Sequence, residues 1–216
     1  MNILFKIILG MCVTVSMVGC TTSRSFIQLP AHSTVVVAET NLKKTAIINT
    51  IQDSRVFEEK PAMANIPSLK YGLKNATPEL KAKAIGRKRA TFGQALGDFI
   101  LRDKTVSQVV EQRVHSALNQ AGYRVIKANE HEQADIVVDV NITKLWAWMH
   151  PNYVAPTINS DIETYTVITS NKTDTRTFRT FTKYSAVYGL GDDKRWIRII
   201  SDSLDDYEQR LADQLK

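Results

Sequence analysis

The chain has 216 residues, a formal net charge of +6 at pH 7, 44% hydrophobic residues and 23% charged residues. These values are typical of a globular protein with a core, and they exclude a chain that is disordered throughout. The length is that of one ordinary domain, and two cysteines are too few for a disulfide framework.

The first twenty residues have the pattern of an export signal. Lys6 supplies a positive charge, residues 7–18 form an uncharged and mainly apolar run, and Gly19 and Cys20 follow. A secretory signal has an apolar region of about 7 to 15 residues, whereas a membrane-spanning helix needs about 20. We therefore predict that residues 1–19 are a signal peptide that is removed on export, and not a transmembrane anchor.

The segment Met17-Val18-Gly19-Cys20 resembles the bacterial lipobox, in which an aliphatic residue, a small residue and Gly or Ala precede a cysteine. The resemblance implies that Cys20 receives diacylglycerol and that its new amine receives palmitate or another acyl chain. Thr21, which stands where Asp would retain a lipoprotein in the inner membrane, resembles an outer-membrane address. The alternative is an ordinary signal peptide with Cys20 incidental. If Cys20 is lipidated and Cys12 leaves with the signal, the core alone must stabilise the mature chain.

The region after the signal divides into a tether and a domain. Residues 20–34 are predicted to be the lipidated N-terminus and a polar tether, and residues 35–216 a single domain. Runs of β-branched residues predict a strand at 33–39 and another at 44–55.

A long basic loop region is predicted at 56–104. Residues 56–84 lack periodicity and contain three prolines, and residues 85–104 contain three glycines, which indicate turns or close backbone approach. The glycine spacing matches neither a dinucleotide-binding motif nor a P-loop. Loops of this length are commonly functional or disordered.

Two amphipathic helices are predicted. Residues 105–123 carry apolar side chains at spacings of three and four, and Thr105 and Gln108 have the spacing of a capping box. Gly122 fits the left-handed position that ends a helix. The same periodicity recurs at 192–216.

The remaining strands follow from alternation of apolar and polar residues. They are predicted at 123–126, 134–149, 160–170 and 175–188. The last two form a hairpin joined by the turn-rich residues 171–174. In the long strand, alternation places Trp146 and Trp148 on the same side as Ile136. Blocks of strands with two amphipathic helices predict an α+β fold, in which a mostly antiparallel sheet carries both helices on one face.

The pattern over residues 85–149 resembles the YajG-like bacterial lipoproteins. The shared features are a basic segment with glycines, a helix that ends in Gly122-Tyr123, and a long strand that opens with Ala134-Asp135. The resemblance implies an envelope lipoprotein and little about activity. In architecture the chain is also similar to the LptE component of lipopolysaccharide export and to auxiliary lipoproteins of lipid-trafficking ABC systems, an analogy of fold with little functional weight.

The sequence contains no motif for catalysis or for a metal site. The four histidines are scattered, and none stands at ligand spacing from another His or a Cys. No serine lies in a G-x-S-x-G motif, and the adjacent carboxylates at 192–193 and 205–206 fit a helix cap and a solvent face. We predict a non-enzymatic protein without a metal or cofactor, apart from the covalent lipid at Cys20.

Positive charge is concentrated in one part of the chain. Residues 60–104 contain ten cations and three anions, so this segment carries more net charge than the whole protein. A contact surface is predicted from five of these cations, which are Lys81, Lys83, Arg87, Lys88 and Arg89. Its partner would be anionic lipid head groups, lipopolysaccharide phosphates or an acidic protein. Export argues against nucleic acid, and the alternative is a solvated loop without a ligand.

Trp146 and Trp148 allow two interpretations. They are an aromatic contact platform at the end of the sheet, for a partner or for acyl chains. Alternatively, both rings belong to the core and cover the ends of the two helices, which is the interpretation we favour.

These observations predict an outer-membrane lipoprotein that faces the periplasm. Its domain would act as a binding or assembly module of an envelope complex, with an envelope protein as partner. The alternative is a lipid- or lipopolysaccharide-handling lipoprotein of a transport system. An open apolar pocket between sheet and helices would favour lipid handling, and a closed core with an exposed basic or apolar face would favour assembly.

Overall fold

The computed structural model describes residues 24–32, 42, 44–89, 94–127, 134–150, 156–170, 174–187 and 193–216. In chain order the elements are β1 (Ser25–Ile27), β2 (Lys44–Asp53), α1 (Pro78–Lys83), β3 (Ala84–Arg89), β4 (Ala95–Leu101), α2 (Val106–Gln120), β5 (Tyr123–Val125), β6 (Ile136–His150), β7 (Thr157–Ser170), β8 (Asp174–Val187) and α3 (Asp193–Leu215). The predicted signal peptide, Cys20 and the strand predicted at 33–39 lie outside the described residues. The α+β class is confirmed.

The described strands form one mixed sheet in which β6 is central. One edge of β6 pairs antiparallel with β7 from end to end, and β7 pairs antiparallel with β8 over its whole length. The other edge is shared, because Ile136–Ile142 pairs in parallel with β2, whereas Ala147 and Trp148 pair in parallel with β3. β5 continues the sheet beyond β2, and β4 and β1 continue it beyond β3. Most paired residues are antiparallel, as predicted, but the shorter parallel pairings were not predicted.

The side chain of Arg55 hydrogen-bonds to backbone carbonyl groups where β2 and β3 diverge along the edge of β6. Arg55, buried just after β2, donates from Nη1 to the carbonyl oxygens of Ala84 (2.6 Å) and Leu145 (3.1 Å). Its Nη2 donates to the carbonyl oxygen of Lys81 at 2.8 Å, and Asp53 pairs with the same guanidinium at 2.8 Å. Arg55 therefore satisfies carbonyl groups that strand pairing leaves open, which buried backbone requires.

Helix α2 begins and ends where its sequence predicts. The Thr105 side chain accepts from the Gln108 backbone, and the Gln108 side chain accepts from the Thr105 backbone, which completes the capping box. Gly122 has φ of 91°, a left-handed conformation that glycine adopts without steric cost. The two residues that flank the apolar run therefore fix the length of the helix.

The main core lies between the two long helices and one face of the sheet. Residues that α2 and α3 bury almost completely in it include Val110, Val114, Ala117, Leu118, Ile200, Leu204, Tyr207 and Leu211. They pack against the apolar side chains that β6 and β7 direct to the same face. The predicted placement of both helices on one face is confirmed.

A β-bulge in β6 creates a second core on the other face. The register with β7 shifts between Ile142 and Lys144, so Thr143 is the extra residue. Side-chain directions reverse after such a bulge, because they alternate with a period of two. Trp146 and Trp148 therefore lie opposite the helices, and the prediction that they share a side with Ile136 is wrong. They pack in a cluster with Leu69, Ala84 and Ile100.

Two predicted boundaries also differ from the structure. Residues 24–32, which we assigned to the tether, belong to the fold, because β1 pairs with β4 and buries Ile27. The predicted loop region at 56–104 contains α1, β3 and β4. Within it, Gly86 allows close backbone approach and not a turn, since it stands in β3 directly against Ala147.

Candidate functional site

The five cations predicted to form one contact surface do not lie together. Lys81 and Lys83 are on α1, before the first residue of β3. Lys83 donates to the carbonyl oxygen of Arg102 at 3.3 Å, at the end of the sheet where β4 finishes. Lys88 and Arg89 are the last two residues of β3, at the opposite end of that strand. The length of β3 therefore separates the two groups.

The three cations of β3 are also divided between its two faces, because side chains alternate along a strand. Lys88 points toward the helices, where its Nζ pairs with Asp193 of α3, donates to Ser25 at 3.1 Å and lies 4.6 Å from the Phe99 ring centroid. Arg87 and Arg89 point to the other face. The strand pattern therefore brings only Arg87 and Arg89 into one group.

Arg87 and Arg89 belong to a cationic group around one buried carboxylate, which we call the Asp98 cluster (Arg24, Lys70, Arg87, Arg89 and Asp98). Arg87 Nε lies 3.3 Å from Asp98 Oδ1, and Arg24 Nε lies 3.6 Å from Asp98 Oδ2. The Lys70 backbone N–H also donates to Asp98, at 3.0 Å from Oδ1 and 3.1 Å from Oδ2. Four cations thus lie around Asp98, and Glu59 is near enough to raise the pKa of Arg87.

Ser68 links the two β3 arginines. Arg87 Nη1 donates to Ser68 Oγ at 2.8 Å, and Arg89 Nη2 donates to the same oxygen at 3.2 Å. Burial lowers the pKa of Arg87, against the opposing effect of Asp98, and burial also lowers the pKa of Arg89. Both side chains stay charged at neutral pH, since arginine is effectively always protonated. Burial raises the pKa of Asp98, against the effects of Arg87 and Arg24.

The outer rim of the Asp98 cluster reaches solvent at Tyr71. Arg24 and Lys70 lie over the Tyr71 ring, with their cationic groups 5.3 Å and 5.4 Å from its centroid. Lys70 Nζ also donates to the Leu96 carbonyl oxygen at 2.9 Å. Tyr71 is 54% exposed, unusually open for so large a ring. The cluster therefore has a buried carboxylate and a rim of two cations around an exposed aromatic ring.

Sequence reasoning missed Arg24, Lys70, Tyr71 and Asp98 as members of one site. The pairing of β1 with β4 brings Arg24 to Asp98, and the hydrogen bonds from the Lys70 backbone to Asp98 bring Lys70 and Tyr71 there. Both contacts join residues far apart in the chain. One sequence feature indicates the site, namely that Asp98 interrupts the apolar residues of β4. A carboxylate at a buried strand position needs a cationic partner.

Trp146 and Trp148 do not form an exposed platform. Trp146 is fully buried and Trp148 is 6% exposed. The indole Nε1 of Trp146 donates to the Ala64 carbonyl oxygen at 3.3 Å, and Phe57 meets its ring edge-on with centroids 5.9 Å apart. Both tryptophans are core residues, as we favoured, but they support the segment after β2 and not the helix ends.

A second polar group joins the N-terminal segment to the helices. Glu208 of α3 is buried and accepts from Ser116, from Gln120 and from Arg113 at 3.0 Å, and it pairs with His32 at 2.9 Å. Ser116 donates to the carboxylate, and His32 lies beside the same carboxylate without a hydrogen bond to Ser116. The group therefore lacks the serine–histidine hydrogen bond that activates a nucleophile.

A small cleft and a wider groove lie near His32. A cleft of about 180 Å³ runs along residues 27–32 and is lined by apolar side chains of β1, β4 and both long helices together with Arg102 and Arg113. A wider groove of about 730 Å³ on the solvent side is lined mostly by polar side chains, including Gln108, Glu111 and Gln112. The apolar part of the cleft is therefore short.

Within the described residues, no helix combines the length and the apolar character needed to cross a membrane. In the same part of the chain, no three His, Cys, Asp or Glu residues are grouped so that they could hold a metal ion.

The chain is similar to several solved structures at low sequence identity. No protein-family model and no curated protein matches its sequence. It is similar to protein XCC0632 from Xanthomonas campestris, of the family DUF330, with a TM-score of 0.47 and 8% identity over 88% of this chain and 90% of that one. It is also similar to a minor lipoprotein from Acinetobacter baumannii, with a TM-score of 0.37 and 15% identity over 53% of this chain and 84% of that one. A third is lipoprotein GNA1162 from Neisseria meningitidis, with a TM-score of 0.27 and 8% identity over 46% and 85% of the two chains. The resemblance to YajG-like lipoproteins stays a prediction.

Proposed function

We propose that this chain is a YajG-like envelope lipoprotein, anchored through Cys20 in the outer membrane on its periplasmic side. Its α+β domain acts as a non-enzymatic binding or assembly module for an envelope protein. The anchor is supported by the lipobox pattern at 17–20.

The observation that carries the choice of an assembly module is the filled space between the helices and the sheet. Leu118, Ile200, Tyr207 and Leu211 are buried there against β6 and β7. Pockets for drug-sized ligands measure about 300–1,000 Å³. The cleft along residues 27–32 measures about 180 Å³, which is below that range. The adjoining groove of about 730 Å³ is within the range, but its lining is mostly polar and does not suit acyl chains. A closed core favours a protein that binds through its surface over one that carries lipid inside.

The anchor is tested with metabolic palmitate labelling and fractionation. We expect the wild type and a Cys12→Ser variant to incorporate palmitate, because Cys12 leaves with the signal peptide. A Cys20→Ser variant should incorporate none and should leave the membrane fraction. Thr21→Asp should keep the label and move to the inner membrane. Palmitate on the Cys20→Ser protein would refute the proposed anchor.

Native mass spectrometry of the detergent-purified protein separates assembly from lipid handling. An assembly module should carry the covalent lipid alone. A lipid carrier should retain additional, non-covalent lipid in stoichiometric amount, and a Leu204→Trp variant that fills the cleft should lose it. Stoichiometric non-covalent lipid in the wild type would favour lipid handling over our proposal.

A further inference from the structure

The anchor and the first strand are separated by a short distance. Four peptide units join Cys20 to Arg24, so at most about 14 Å separates their Cα atoms. Arg24 is already tied to the fold through Asp98, and Ser25 begins β1. If Cys20 is lipidated, as proposed above, the domain cannot move away from the membrane on a long tether.

The strand directions show which end of the domain is held there. β1 starts at the anchored end, and β4 runs parallel to it, so Gln94 and Ala95 lie at that end too. β3 is antiparallel to β4, so it finishes there with Arg89. Continuing across the sheet, β6 finishes and β7 begins at this end, and β8 finishes there with Val187. We call this edge of the domain the anchored end.

The groups at the anchored end are suited to a lipid surface. The Asp98 cluster lies there and presents the rim cations Arg24 and Lys70 around exposed Tyr71. Val187 is 64% exposed at the same end. Tyrosine is enriched at membrane interfaces, where its ring is apolar and its hydroxyl remains hydrated, and cations are attracted by anionic head groups.

We propose that the anchored end rests on the bilayer that holds the acyl chains of Cys20. Arg24, Lys70 and Tyr71 contact anionic lipid head groups there, and the sheet stands away from the membrane. This inference rests on the lipid anchor of the proposed function. It places the start of β8 at the far end of the molecule.

The test uses the mature lipidated protein in vesicles. Because Cys12 is removed and Cys20 is lipidated, an introduced cysteine is the single thiol that a fluorophore can label. Gln94→Cys labels the anchored end, and Asp174→Cys labels the far end; both positions are exposed. Val187 and Asp174 are thirteen residues apart on β8, roughly 40 Å for an extended strand.

The vesicles contain phosphatidylglycerol and lipids with a head-group quencher. We expect the label at 94 to lose most of its fluorescence and the label at 174 to lose almost none. Equal quenching at the two positions, or stronger quenching at 174, would overturn the proposed orientation. Flotation is measured first, since protein that does not float with the vesicles refutes the anchor itself, whereas floating protein with an unquenched label at 94 refutes only the orientation.

A second arm tests the head-group contact. Quenching at 94 should weaken in vesicles of phosphatidylcholine alone and in a Lys70→Gln variant with a native circular dichroism spectrum. Lys127→Gln removes an exposed charge near β5, toward the far end, and should leave quenching unchanged. If quenching at 94 is the same without anionic lipid and in the Lys70→Gln variant, the tether alone positions this end. That result would overturn the contact with anionic lipid.

Discussion

Gly86 and Ala147 approach so closely that no side chain fits between them. A Cβ atom at position 86 would lie 2.7 Å from the Ala147 carbonyl oxygen and 3.2 Å from the Ala147 Cβ. β3 is joined to β6 by the pairing of Gly86 and Arg87 with Ala147 and Trp148. A side chain at position 86 would therefore disturb the pairing that joins β1, β4 and β3 to the rest of the sheet.

We predict that Gly86→Ala lowers the free energy of unfolding by about 1–3 kcal/mol, because backbone must move to relieve the clash. Urea unfolding followed by circular dichroism measures this loss. Gly122→Ala is the matched control, since no atom lies within 4 Å of its Cβ position and only backbone strain at φ of 91° opposes it. A Gly86→Ala protein as stable as the wild type would contradict the close approach.

The face of α2 is tested by a pair of alanine variants. Leu118 is fully buried in the main core, and Leu118→Ala should cost about 2–5 kcal/mol through lost transfer energy and the cavity left behind. Gln112 is exposed, so Gln112→Ala should change stability by no more than about 0.5 kcal/mol. Similar losses at the two positions would mean that α2 packs on a different face.

The elements that sequence alone predicted correctly are those specified by local pattern. The apolar spacing of α2 and α3, the Thr105–Gln108 capping box and the β7–β8 hairpin all depend on neighbours in sequence. The strands β3 and β4 were missed because their glycines indicate turns as readily as close approach, and their pairing partners lie far away in the chain. The Asp98 cluster depends on the same long-range pairing, so its members could not be grouped from the sequence.

The bulge at Thr143 is the clearest case of a feature that alternation cannot predict. A pattern with a period of two shows which residues alternate but not where one extra residue enters a strand. In the sequence, Lys144 is the one polar residue among the alternate positions from 136 to 148. In the structure it follows the bulge, and its Nζ lies 2.8 Å from Asp161 on the face opposite the helices. The interruption at Lys144 marked the change of face.

Deletion of Thr143 should therefore unfold the domain. Without the extra residue, Trp146 and Trp148 would turn toward the helices, and Leu145 and Ala147 would leave the main core. Thr143→Val keeps the bulge and removes only the hydroxyl that donates to the Glu163 carbonyl oxygen at 3.3 Å, so its effect should be small. Circular dichroism and tryptophan fluorescence compare the two proteins. A folded deletion variant would show that the bulge does not set the side-chain phase.

The burial of His32 makes the stability of the domain depend on pH. Burial lowers the pKa of His32, and Arg113 adds to this effect, whereas Glu208 and Asp205 oppose it. Lys104 also lowers the pKa of His32. The folded protein thus favours the neutral imidazole, while the unfolded chain takes up a proton near pH 6.5. The contribution of neutral His32 to the free energy of unfolding is therefore complete above about pH 6.5. It decreases as the pH falls toward the lower pKa of His32 in the folded state.

We predict that the urea midpoint of the wild type falls between pH 7.5 and pH 5.5, and that His32→Asn reduces this fall. Few carboxylates change charge in that interval, since their ordinary pKa values lie near 4. Histidines therefore account for most of the change in urea midpoint between the two pH values. His115→Asn is the control, because His115 is exposed on α2 and lies outside the Glu208 group. It should retain the wild-type dependence on pH. If His32→Asn retains the full fall in midpoint, the proton that destabilises the domain binds elsewhere and His32 does not couple the N-terminal segment to pH.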